Sequence, residues 1–74
     1  MWIKCKIPFV TTMKDIIYFN DPVNLNHFQR ITKNDNHTRN IFRIEFDNFF
    51  VWTFLTKEDR DDTFLRIIRN FDEV

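Results

Sequence analysis

The sequence predicts a small α+β domain, an antiparallel β-meander of four or five strands with one C-terminal helix. Three stretches carry that expectation. Ile41, Arg43 and Glu45 alternate with Phe42, Ile44 and Phe46, the period of two of a half-buried strand. Residues 49–55 are almost wholly apolar or aromatic, as in a strand touched on both faces. Residues 57–71 open with acids, close with arginines and carry an apolar stripe, which is a helix signature. At 74 residues the chain, 1–74, is read as one domain.

In order, residues 2–10 form the first expected strand, with Ile3, Cys5, Ile7 and Phe9 on one side and Trp2, Lys4 and Lys6 on the other. Pro8 places that end at a sheet edge or strand terminus. A second strand spans residues 15–19, closed by the turn Asn20, Asp21, Pro22. Leu25, Phe28 and Ile31 recur at intervals of three, which fits a helical turn or a bulged strand. The reading adopted is a turn over 23–26 and a strand over 28–33, followed by the polar loop Asn34, Asp35, Asn36, His37.

Strands over 39–46 and 49–55 make a hairpin about Asp47 and Asn48, residues that tolerate positive φ in a chain with no glycine. A two-residue turn pairs Phe46 with Phe49 and Arg43 with Trp52, within cation–π reach. A three-residue loop partitions the aromatics better, with Phe50, Trp52 and Phe54 over Phe42, Ile44 and Phe46, but asks Phe49 to take a left-handed conformation. Turn chemistry favours the first. Its second face then holds Ile41, Phe50, Trp52 and Phe54, with no second helix to cover it.

The helix, about 57–71, is expected to be capped by Thr56 over Asp59, with Asp62 and Arg66 spaced for an ion pair. Its stripe is Phe64, Leu65, Ile68 and Phe71, with Ile67 at the edge, a core face rather than a cofactor site. Residues 72–74 are expected to fray.

The layout resembles small bacterial and phage proteins of the FlbD-like kind, built as a meander with one C-terminal helix. The carrying features are IIYFND at 16–21, QRIT at 29–32, TRNIFRIEFDN at 38–48 and a last strand running into LTKEDRDDTFLRII. The resemblance spans about residues 15–70 and is one of layout. It implies the fold and carries over no functional residues. Asn48 stands where the pattern has a turn glycine, and phenylalanine is unusually frequent.

The composition argues against most chemistry. Without glycine there is no P-loop or dinucleotide fingerprint, and without serine no serine nucleophile. His27 and His37 are ten residues apart in polar surroundings, and no metal site is expected. Glu58, Asp59, Asp61 and Asp62 suit capping and solvation better than acid–base work. Cys5, on the apolar side of its strand, reads as a small core residue with no base beside it. The expectation is a protein that is not an enzyme and takes no cofactor. A lone cysteine, no visible leader and no long apolar run suit a cytoplasmic location.

A chain of this length buries only about 60% of its unfolded surface, so assembly is the expected supplement to its core. The primary expectation is therefore a non-enzymatic binding protein, a homo-oligomer joined through its sheet by Ile41, Arg43, Phe50, Trp52, Phe54 and Trp2. The absence of Gly and Ala, beside nine Ile, eight Asn and ten Phe, suggests AT-rich coding and hence a phage or mobile-element product that blocks a host protein. Charge is split, with seven basic and three acidic residues over 1–43 and the reverse balance, four and eight, over 44–74. Solvated faces explain that most simply. The alternatives are an anionic ligand such as a nucleotide, or weakly held single-stranded nucleic acid, bound by Lys4, Lys6, Arg30, Lys33 and Arg39. Zero net charge and the acidic helix weigh against nucleic acid.

Overall fold

A computed structural model describes residues 2–36, 41–47 and 49–69. It is α+β, with antiparallel strands and one C-terminal helix. The strands are β1 (Trp2–Ile3), β2 (Phe9–Thr11), β3 (Ile17–Phe19), β4 (Val23–Asn24), β5 (Ile31–Asn36), β6 (Ile41–Phe46) and β7 (Phe50–Phe54). A 3-10 turn, Leu25–His27, follows β4, and helix α1 is Lys57–Ile68. Among the described residues the strands fall into three small sheets, β1 with β4, β2 with β3, and the larger β5-β6-β7.

The register of the β6–β7 hairpin organises the molecule. Phe46 faces Phe50, Ile44 faces Trp52 and Phe42 faces Phe54, so the loop has three residues and the expected two-residue turn is corrected. Asp47, not Phe49, takes the positive φ, at 54°, so no bulky side chain is forced into the left-handed region. The Asp47 carboxylate also accepts from the backbone N–H of Arg30 at 2.7 Å and of Gln29 at 3.2 Å, tying the chain before β5 to the turn.

With that register six apolar residues share one face. Ile44, Phe46, Trp52 and Phe54 are fully buried there. Phe46 sits edge-on to Trp52 at 5.0 Å between centroids, and Phe28 lies 5.4 Å from Phe46. Two elements cover this face. One is α1, through Ile67 and Phe64; the other is the β1/β4 ladder, which brings in Ile3 and Val23, with Cys5 just beyond it. The Trp52 indole N–H donates to the Asp21 carbonyl at 2.8 Å, so burial leaves no orphan donor.

The β1/β4 cover exists because the expected strand 2–10 breaks. Residues 6 and 7 bend, and Pro8 cannot donate to a ladder. β1 then pairs with β4, while β2 turns back to pair with β3 about Asp15, whose φ of 58° is the second left-handed aspartate. Further on, β4 takes Val23–Asn24 and the 3-10 turn follows it where a turn over 23–26 is expected. β5 begins at Ile31 rather than 28 and extends to Asn36 instead of yielding to a loop. Asn34 is a strand residue facing Arg43, and its Nδ2 donates to Glu45 at 2.6 Å. His37 and residues 38–40 lie outside the described residues.

Thr56 caps α1, accepting from the Asp59 N–H at 3.2 Å, and Arg66 reaches Asp62 at 3.1 Å, both as expected. The buried stripe, however, is Arg60, Thr63 and Ile67, with Phe64 half-buried; Leu65 and Ile68 face outwards. Arg60 sets this rotation. Its guanidinium lies 5.6 Å from the Phe42 ring centroid, donates to the Asn34 carbonyl and pairs with Asp35 and Asp61. Desolvation works against its charge, but the two carboxylates outweigh that and raise its pKa above the ordinary value. The expected residue 71 and the fraying tail lie outside the described residues.

One buried side chain hydrogen-bonds the second small sheet to β7. Asn20 is buried, and its amide does the work of a strand: Oδ1 accepts from the Thr53 N–H at 2.7 Å, and Nδ2 donates to the Thr53 carbonyl at 2.9 Å and the Ile7 carbonyl at 2.8 Å. Asn20→Ala is expected to cost about 2–4 kcal/mol, since Thr53 keeps two buried polar groups without partners. Urea unfolding measures it, and a loss under about 0.5 kcal/mol would mean that Thr53 needs no such partner.

Candidate binding surface

The β2–β3 hairpin follows the period of two. Val10 and Tyr18 turn inwards, Val10 buried and Tyr18 half-buried. Phe9, Thr11, Ile17 and Phe19 turn outwards, with Phe9 opposite Phe19 and Thr11 opposite Ile17. Phe9, Ile17 and Phe19 are 55%, 51% and 62% exposed, although they are three large apolar side chains on one face. The two rings lie 6.4 Å apart. At the hairpin tip Thr12 N–H donates to the Ile16 carbonyl and Asp15 N–H to the Thr12 carbonyl, both at 3.0 Å, and Met13 is wholly exposed.

Phe19 joins this face to a shallow groove of about 270 Å³, lined by Tyr18, Phe19, Arg43, Val51 and Thr53. Arg43 and Thr53 oppose each other across β6 and β7, on the face turned away from the core. Arg43 is half-buried, and among the described residues it makes no ion pair. The groove thus brings a guanidinium together with two aromatic side chains and an aliphatic one. Such a lining can hold an anionic or apolar group.

The residues expected at an interface are placed differently. Trp52, Phe54 and Ile41 are buried within the single chain, Ile41 outside the main cluster, so none is an open contact. Phe50 is half-buried against Phe28 and Phe46. Arg43 lies across the sheet from the Trp52 side chain, and the expected cation–π pair is replaced by Arg60 over Phe42 and Lys33 over Phe64. Trp2 is 65% exposed on β1, and Arg43, like Phe50, is half-buried. The cause is the register: the slip of one residue sends Trp52 and Phe54 to the core face.

Of the expected anion ligands, Lys4, Lys6 and Arg30 are exposed, and none lines the groove. Lys33 is held by α1, 3.7 Å from Asp61 and 5.2 Å from the Phe64 centroid. Arg39 lies outside the described residues. His27 is exposed on the 3-10 turn, and among the described residues no three His, Cys, Asp or Glu side chains group as for a metal ion. No described helix is long and apolar enough to cross a membrane. No family model, curated protein or solved structure matches the chain.

Unbroken alternation through residues 2–10 puts Phe9 on the side of Cys5, whereas it faces outwards with Ile17 and Phe19. Pro8 was the signal that the phase restarts.

Cys5 is buried, as expected. Burial pushes its thiol up from 9.0 to about 11, against smaller opposing hydrogen bonds from the Ile7 backbone and the Asn20 side chain. The folded chain keeps this proton where the unfolded chain has lost it. Its contribution is therefore intact below pH 9.0 and falls as pH rises towards 11. Cys5→Ala is expected to flatten that decline relative to the parent chain; urea unfolding of both from neutral pH upwards tests it, and parallel curves would exclude the thiol as its source.

Proposed function

We propose that this chain is a small non-enzymatic binding protein that acts in the cytoplasm and associates with itself through the outer face of the β2–β3 hairpin. The observation that supports this reading is the exposure of Phe9, Ile17 and Phe19 together on one hairpin face, continuous with the Arg43 groove. Scattered apolar residues are ordinary on a protein surface; a contiguous aromatic and aliphatic face beside an arginine is the composition of contact sites. The groove lining holds no cysteine, histidine or carboxylate, and Cys5 is buried with a raised pKa. That favours holding over turnover. If the chain is a phage or mobile-element product, the same face is where a host protein would be held.

Sedimentation equilibrium at low and high concentration tests the reading. The mass is expected to rise above the 9.2 kDa of one chain as concentration increases. Phe19→Asp, at an exposed position, is expected to return it to a single chain without loss of thermal stability. A parent chain that stays single throughout, or a Phe19→Asp variant that assembles as the parent does, would overturn the proposal.

A further inference from the structure

The outer side of α1 carries a second exposed pattern. Glu58 and Leu65 are seven residues apart, so they lie on one line of the helix about 10 Å apart, and Ile68 follows three residues on. Leu65 and Ile68 are 46% and 59% exposed. Glu58 is exposed and, among the described residues, has no ion pair, whereas Asp61 and Asp62 are engaged by Lys33, Arg60 and Arg66. The outside of the helix is thus acidic at its start and apolar farther along.

The hairpin surface has the complementary order. Arg43 marks one end, in the groove it shares with Phe19, and Ile17 lies two residues back along β3 on the same outward side as Phe19. Two residues of strand span about 7 Å, so Arg43 stands beside Phe19 and Ile17 extends the apolar patch by about that length beyond it. Each surface supplies what the other lacks, a carboxylate for Arg43 and an apolar patch for Phe9, Ile17 and Phe19.

Resting on the self-association proposed above, we infer that the occupant of the hairpin face is helix α1 of a second copy, with Glu58 paired to Arg43 of the partner chain and Leu65 and Ile68 seated on its Phe19 and Ile17. In a two-fold dimer this contact is made twice, hairpin on helix and helix on hairpin. Charge complementarity fixes the direction in which the helix lies, and the apolar patches supply most of the affinity.

A charge exchange tests this in the full-length chain. Arg43→Glu and Glu58→Lys are each expected to weaken dimerisation about tenfold or more, by opposing like charges across the contact. The two together in one chain restore the pair with reversed sense and are expected to recover most of the loss. Leu65→Asp, on the exposed side of α1, is expected to weaken the dimer without lowering the melting temperature. Dissociation constants from sedimentation, with thermal unfolding as a check on folding, give the reading. If Phe19→Asp dissociates the dimer while the Glu58 and Leu65 variants assemble as the parent does, the hairpin face stands as a contact and the helix is not its occupant. A double variant no better than the singles would also overturn the Arg43–Glu58 pairing. A parent chain that never dimerises overturns both proposals.

Discussion

The structure depends on one turn. Asp47 accepts a left-handed conformation at the head of the loop between β6 and β7, and this fixes a register in which Phe42, Ile44, Phe46, Phe50, Trp52 and Phe54 share a face. Had the loop been one residue shorter, Trp52 would have changed sides, because side chains alternate strictly along a strand. The choice follows from comparing costs. One aspartate in the left-handed region is a small penalty, eased by its hydrogen bonds to residues 29 and 30, whereas splitting the aromatic set forfeits several kcal/mol of apolar burial.

Once the aromatics share a face, that face needs a wide cover, and a helix of 12 residues supplies only part of it. The remainder comes from the break in the N-terminal strand. The bend before Pro8 lets Ile3, Cys5 and Val23 fold over the aromatic face while β2 and β3 pass to the side of β7. The same break exposes Phe9, Ile17 and Phe19, because the β2–β3 hairpin has an outward side that no described element covers. Core and candidate contact surface therefore have one origin.

Much of this was legible. Alternation in residues 41–46, the apolar run after it, the cap at Thr56 and the Asp62–Arg66 pair all follow from local physics, and they appear where local physics puts them. What escaped depends on contacts distant in sequence. The rotation of α1 could not be read because residues 64, 65, 67 and 68 are all apolar; Arg60, held by β5 and β6, selects among them. The hairpin register stands between two alternatives on sequence alone, because the left-handed residue that a three-residue loop needs can be Asp47 as well as Phe49. The candidate surface escaped for a related reason, since a proline ends one phase and nothing local announces the next.

Asn20 bears on how such a chain avoids uncontrolled association. β7 ends the three-stranded sheet, and an edge strand with open backbone groups is a template for any stray extended segment. By meeting both the N–H and the carbonyl of Thr53, a single amide closes the middle of that edge without adding a strand. The molecule can thus keep a greasy hairpin on display while denying newcomers the ladder on which fibrils grow.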